Sequence, residues 1–303
     1  MRSIKMIAGA TLASASLYIP SAWSVTPVVY SGSGANAATA LDAFRAAIGG
    51  DRNNAGPEAS GRREIGWDGV RLDGTDANPN TQVVDNGNTV IIPVDRFQNQ
   101  GALFEDPYAV SGDGFASVNP ATTGQFPAFS PNNTFVMQDD TPYQFDDRFI
   151  GQSFTIPGTT TAAGTRGFGA IFVDVENAGS SSIEYFGHDT SGNQVSLGTF
   201  DVPTGASGEP QFLGVLFDQP VVTDVNLAVG TNTLFNFNGT SFQSFGGENL
   251  AGGTDLAVTD DFVYAEPTMA AAIPEPETYA LMLAGLGLLG FIAYRKKAAF
   301  NPL

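Results

Sequence analysis

An all-β sandwich with one short N-terminal helix is the fold the sequence predicts, and three observations predict it. Glycine (36 residues) and proline (18) are abundant while only 15% of residues are charged, a mix that suits turn-rich β structure. Short apolar runs recur beyond residue 80, separated by Gly, Pro and Asn turns with no helical periodicity between them. One run, residues 167–176, is apolar on two faces: Phe168, Ala170 and Phe172 on one, Ile171, Val173 and Val175 on the other. A strand apolar on both sides belongs inside a sheet that is covered on each face.

At the N-terminus Arg2 and Lys5 precede an uncharged run over residues 6–19, and Ala22-Trp23-Ser24 is a small-x-small cleavage site. These are the three parts of a secretory signal peptide, placed at residues 1–24. The run is short for a spanning helix, which needs about 20 residues.

Residues 37–48 read as a helix, with Leu41, Phe44 and Ile48 on one face, Asn36 placed to cap the start and Gly49-Gly50 to stop it. Residues 51–80 are polar and rich in Gly, Asn and Asp. Residues 25–80 are therefore expected to form a helix and polar loop region packed on a sandwich that occupies residues 81–267. Within this stretch, residues 61–70 gather two arginines, an aromatic and two carboxylates. Two readings stand. Trp67, Arg63 and Asp68 form a sugar platform, the ring stacking and the polar groups meeting hydroxyls; or Trp67 packs on the sheet and an Arg–carboxylate network ties down a long loop.

Short strands are expected at residues 89–94, 114–118 and 134–137, then at 167–176. Residues 182–186 and 195–200 flank a turn that holds His188 and exposes it. Residues 211–217 and 221–229 repeat the strand–turn–strand arrangement around Asp218-Gln219-Pro220, and residues 260–264 close the domain. A linker follows over residues 268–278.

Between residues 25 and 272 there is no lysine, and eight arginines face 29 acids, a net charge of −21. Phosphate contacts need Lys and Arg, so a nucleic-acid partner is excluded. Cysteine is absent and His188 is the single histidine, which removes thiol nucleophiles, thiolate metal sites, histidine-cluster metal sites and most nucleophile–base pairs. Three acidic pairs invite a glycosidase reading: Asp139-Asp140, Asp146-Asp147 and Asp260-Asp261. That chemistry needs two carboxylates about 5–9.5 Å apart across a cleft, and neighbours on a strand point to opposite faces, so no dipeptide is itself the pair. Hard cations take oxygens from loop carboxylates. Asp260 and Asp261 in the closing strand, and Asp174 and Glu176 at the end of the two-faced run, are the candidate ligands of a structural Ca²⁺; no EF-hand loop is present.

The C-terminus carries the most specific pattern. Pro274-Glu275-Pro276 precedes an apolar run over residues 279–294, then Arg295-Lys296-Lys297. Sixteen helical residues span about 24 Å, slightly under a ~30 Å hydrocarbon core, and the basic cluster would stay cytoplasmic. The layout reads as one transmembrane helix at 279–294 with a basic tail at 295–303. Small residues at Ala284, Gly285, Gly287 and Gly290 permit close helix packing.

This three-part tail resembles the PEP-CTERM sorting signal of Gram-negative bacteria, from Pro274 to Lys297, with residues 298–303 as a short departure beyond the basic cluster. The resemblance implies that the tail holds a precursor in the inner membrane with Arg295, Lys296 and Lys297 as the stop. It also implies that an exosortase recognises Pro274, Glu275 and Pro276, and that the product reaches the outer surface or the medium alongside exopolysaccharide. The order of motifs from residue 167 to 264 also resembles the jelly-roll-like ectodomains that precede such tails, with an early Gly-Phe-Gly strand and a closing Asp-Asp-Phe strand. The expectation is a Sec-exported, non-enzymatic component of an exopolysaccharide matrix. Its rivals are a carbohydrate-binding module assisted by Ca²⁺, with Trp67 or Tyr185 as the exposed aromatic, and a hydrolase of matrix sugars.

Overall fold

Two antiparallel sheets enclose the larger of two cores, and a helix covers the outer face of one of them. The computed structural model describes residues 26–273 except 55, 74, 76–81, 86–87, 106–107, 132–133, 138–147 and 238–241; beyond that span it describes 285, 287–289 and 291. Residues Val25–Ile273 form one compact unit.

The first sheet runs, from one edge to the other, through β1 (Val28–Ser33), β12 (Pro210–Leu216), β9 (Gly167–Val173), β16 (Val258–Ala265), β7 (Thr134–Met137), β6 (Tyr108–Ser111), β4 (Thr89–Ile92) and β3 (Gln82–Asp85). β2 (Arg62–Ile65) also pairs with β16. The second sheet has the order β11 (Gln194–Asp201), β10 (Ser182–His188), β13 (Asp224–Ala228), β8 (Phe149–Phe154) and β5 (Ala102–Phe104). β14 (Phe235–Phe237) and β15 (Phe242–Ser244) form a separate hairpin. The mostly β architecture agrees with the sandwich expected from composition and turn spacing.

β9 lies between β12 and β16, where a strand with two apolar faces must lie. Phe168, Ala170 and Phe172 enter the core between the sheets, with Phe262 and Tyr264 of β16 and Ile183 and Tyr185 of β10. Ile171 and Val173 face the other way, toward α1 (Ala35–Ile48), which buries Ala37, Leu41, Phe44 and Ile48. The expected alternation fails at Val175, which joins the inter-sheet core instead. Asp174 has φ 75°, and this left-handed residue reverses the side-chain phase.

Other local expectations are corrected. The residue before α1 is Gly34, at φ 56°, and Asn36 lies inside the first turn without capping it. Gly49 ends the helix at φ 82°, its N–H reaching Arg45 O, as the Gly-Gly pair foretold. Residues 25–80 are not merely packed on a sandwich: β1 pairs with β12 over its whole length, and β2 adds to β16. Residues 114–118 form turns, since Phe115 sits at φ 64° with its N–H on Ser111 Oγ at 2.9 Å. Residues 211–229 do not form a hairpin: β12 belongs to the first sheet and β13 to the second. β12 is buried on both faces, as an inner strand of the helix-covered sheet is, whereas β13 alternates between buried and half-buried positions. His188 is the half-buried last residue of β10, not an exposed turn residue.

The folded unit extends into the segment expected to be a linker. Thr268 exchanges two main-chain hydrogen bonds with Gly164, Ala271 N donates to Pro220 O, and Ile273 N donates to His188 O at 2.8 Å. Residues 1–24, expected to be a signal peptide, and almost all of the apolar run at 279–294 lie outside the described residues. Among the described residues no helix is long and apolar enough to cross a membrane.

Candidate functional site

The end of β9 builds a cluster of carboxylates. Asp174, fully buried, turns the chain out of the strand; its N–H goes to Glu209 O. The turn then lays Glu176 N and Asn177 N on Asp255 Oδ2, at 3.2 and 2.7 Å. Glu248 comes from the loop after β15. One carboxylate oxygen each of Asp174, Glu176 and Glu248 lies within 4.8 Å of the other two.

The hydrogen bonds around this trio are uneven. Asp174 Oδ1 accepts from Gly208 N and, at 3.2 Å, from Ser207 Oγ. Gln125 Nε2 spans Asp174 Oδ2 at 2.5 Å and Glu248 Oε2 at 3.2 Å. Neither oxygen of Glu176 receives a hydrogen bond, and both are shielded from solvent. Burial first, then the charges of Asp174, Glu248 and Asp255, push the Glu176 carboxyl up to about 8. Glu248 is raised too, by burial and by Asp174. Crowded carboxylates of this kind are stabilised either by protons or by a cation.

A second acidic group occupies β16. The register between β9 and β16 shifts between Thr259 and Phe262, so Asp260 and Asp261 sit in a bulge. Asp260 Oδ2 accepts from Phe129 N at 2.7 Å and Ser130 N at 3.2 Å, and its main-chain oxygen accepts from Trp67 Nε1 at 2.6 Å. Ser130 Oγ lies 3.0 Å from Asp260 Oδ1, 3.2 Å from Asp261 Oδ1 and 3.1 Å from Asp68 Oδ2. One hydroxyl proton cannot serve three carboxylates. Burial, then the charge of Asp261, pushes Asp260 up to about 7, against the opposing bonds from Phe129 and Ser130. Burial also raises Asp261. The geometry describes a loop clamp: Asp260 fastens residues 129–130 and Trp67 to the sheet.

The residues offered as a sugar platform separate. Trp67 is fully buried, ringed edge-on by Phe97, Tyr108 and Phe262 at centroid distances of 5.2–5.8 Å. A buried indole presents no face to a sugar, so the packing alternative describes it. Arg63 is buried in an ion pair with Glu266, again the network alternative. Asp68 remains exposed, with one oxygen turned to Ser130.

His188 lines a cavity of about 400 Å³ with Phe154, Ala163, Thr223, Asp224 and Ala271. Its Nδ1 lies 3.1 Å from Thr223 Oγ1, which donates to Asp224 Oδ2 at 2.7 Å. The hydroxyl therefore stands between the ring and the carboxylate. In a hydrolytic triad the histidine stands between the other two.

Of the four expected cation ligands, Asp174 and Glu176 meet, while Asp260 and Asp261 belong to the loop clamp. Sequence reading missed Glu248, Asp255 and Gln125, since nothing local marks residues that converge from distant parts of the chain. Asp139, Asp140, Asp146 and Asp147 lie outside the described residues, as do Pro274, Glu275, Pro276, Arg295, Lys296 and Lys297.

A family model described as the PEP-CTERM protein-sorting motif matches residues 272–297. No curated protein matches the chain. The chain therefore carries a PEP-CTERM sorting motif at its C-terminus, following a β-rich unit that ends at Ile273.

Proposed function

We propose that this protein is exported through the Sec pathway, held in the inner membrane by its C-terminal apolar run, processed by an exosortase at Pro274-Glu275-Pro276, and released to the surface or medium as a non-enzymatic part of an exopolysaccharide matrix. The observation that carries this reading is the sorting motif over residues 272–297, in which the Pro-Glu-Pro triplet, the apolar run and the basic stop keep their order. A stiff, extended triplet suits a protease groove, and an apolar run with a basic end suits retention before cleavage.

Two features of the β unit favour a structural over a catalytic role. The lone histidine meets a threonine that is already committed to Asp224. The acids of the β16 bulge spend their oxygens fastening a loop. The carbohydrate-binding alternative loses both of its stacking candidates, since Trp67 and Tyr185 are fully buried.

Intact mass and fractionation from the native host test the sorting step, comparing wild type with a Pro274→Ala/Glu275→Ala variant. Loss of the C-terminal segment in wild type and membrane retention of the variant are expected. An uncleaved tail that behaves identically in both would reduce it to a plain anchor and overturn the proposal.

A further inference from the structure

The acidic trio at the end of β9 has a chemistry of its own, independent of sorting. We propose that Asp174, Glu176 and Glu248 bind one Ca²⁺ ion, with the carboxylate of Asp255 as the supporting charge beneath it. Proximity of three acids alone would describe only an acidic surface; buried oxygens without donors point to a ligand. Asp255 is fully buried, and its Oδ1 has no hydrogen-bond partner while Oδ2 holds the turn through Glu176 N and Asn177 N. The bond from Glu176 N places this carboxylate directly beside the trio. Both oxygens of Glu176 are buried without a donor. A buried carboxylate oxygen with no donor is costly, and a cation satisfies several at once.

The donor set selects the ion. It is all oxygen, with no imidazole or thiolate, which disfavours zinc and softer metals. Oxygens within 4.8 Å of one another can share one cation shell; Ca²⁺ accepts six to eight oxygens at about 2.3–2.6 Å in flexible geometry and so tolerates ligands drawn from separate loops, whereas Mg²⁺ demands near-octahedral order at about 2.0–2.1 Å. Gln125 supplies a neutral ligand: its amide already bridges Asp174 and Glu248, and an amide flip exchanges the donor Nε2 for the acceptor Oε1.

The ion would join segments far apart in sequence. Asp174 and Glu176 follow β9, Glu248 and Asp255 lie in the segment before β16, and Gln125 lies in the loop after β6. Filling the site therefore locks one end of the sandwich. Extracellular Ca²⁺ modules bind at about 10⁻⁴–10⁻³ M, a range that leaves such a site filled outside the cell and empty before export.

Calorimetric titration and thermal unfolding of the full chain in detergent, stripped with chelator, test the proposal with Ca²⁺ and Mg²⁺ as probes. Wild type is expected to bind one Ca²⁺ with a raised melting temperature, and Mg²⁺ at least tenfold more weakly. Glu176→Gln relieves repulsion, so the chelated variant should melt higher than chelated wild type yet lose tenfold or more in Ca²⁺ affinity. Glu248→Gln should lose affinity similarly. Wild type that ignores millimolar Ca²⁺, or variants that bind as tightly as wild type, would overturn the assignment.

Discussion

Arg63 and Glu266 form a two-pronged ion pair out of contact with water, Nε to Oε2 at 2.7 Å and Nη2 to Oε1 at 2.8 Å, with side-chain exposures of 0% and 1%. The pair fastens β2 to the end of β16. Glu266 also accepts from Glu58 N at 2.9 Å and Asn53 Nδ2 at 2.8 Å, and Arg63 Nη2 reaches Gly56 O. This network orders a polar stretch that has little apolar surface to bury.

Breaking such a pair from one side leaves a buried charge, which costs about 3–5 kcal/mol. Glu266→Gln should destabilise by that amount in urea unfolding. Arg63→Met combined with Glu266→Gln should cost markedly less than the sum of the single changes, because no charge is stranded and the glutamine oxygen still accepts from Glu58 N. Strict additivity would show that the pair contributes no coupling.

The Asp260 carboxyl makes stability depend on pH. Its folded value is about 7 against 3.8 for a free aspartate, so between these values the folded state holds a proton the unfolded chain has released. Stability from this group is complete below the unfolded value and is lost as pH rises through about 7. Asp261, Asp68 and Glu64 face the same region with negative charge, and Arg45 opposes them. Urea midpoints in chelator should fall between about pH 5 and about pH 8, and Asp260→Asn should flatten that slope. A wild-type midpoint that rises over this interval would contradict the burial of a protonated acid.

A second packing device supports α1. Gly169 and Gly214 pair directly across β9 and β12, and the ring of Phe212 lies over them. A Cβ at Gly169 would meet Phe212 Cζ at 2.8 Å, and one at Gly214 would also meet Phe44 Cδ2 at 3.1 Å. Phe44 packs on Phe212 with centroids 5.6 Å apart, so the bare glycine pair seats the helix. Gly169→Ala should cost about 1–3 kcal/mol by overpacking. Gly69→Ala, where a Cβ meets nothing within 4 Å, should be near neutral and serves as the control.

Trp67 offers an optical check on the fate of the expected sugar platform. In a Trp23→Phe background it is the single indole. Its burial among rings predicts a blue-shifted emission that neither an aqueous quencher nor soluble exopolysaccharide alters. A sugar-dependent shift would return Trp67 to the surface and revive the carbohydrate-binding reading.

Sequence pattern revealed the layers because burial repeats locally. The two faces of residues 168–173 and the helical stripe of Leu41, Phe44 and Ile48 are where alternation and periodicity placed them. Single backbone reversals were invisible: Asp174 and Phe115 adopt positive φ without being glycine, and each broke an expected strand pattern. Sheet membership was also hidden, because Asp218-Gln219-Pro220 suits a hairpin turn and a crossover between sheets equally well. The carboxylate site was half legible. Asp174 and Glu176 share a strand end, but their partners Glu248 and Gln125 are brought in by tertiary folding, which no spacing in the chain encodes.

The folded unit runs directly into the sorting motif. Ile273 is held to the second sheet by its N–H on His188 O, and its half-buried side chain packs on the inter-sheet core. The bare Gly187 lets both the Val221 carbonyl and this side chain approach, since a Cβ there would clash with Val221 O and lie 2.8 Å from Ile273 Cδ1. Pro274 is the next residue, so a protease that reads an extended Pro-Glu-Pro works directly against a pinned chain. Inserting Gly-Ser-Gly-Ser between Ile273 and Pro274 should speed processing severalfold in a pulse-chase followed by intact mass. Slower processing of the insertion variant would mean that the enzyme reads the folded edge together with the motif, and the pinned junction would then be part of the signal.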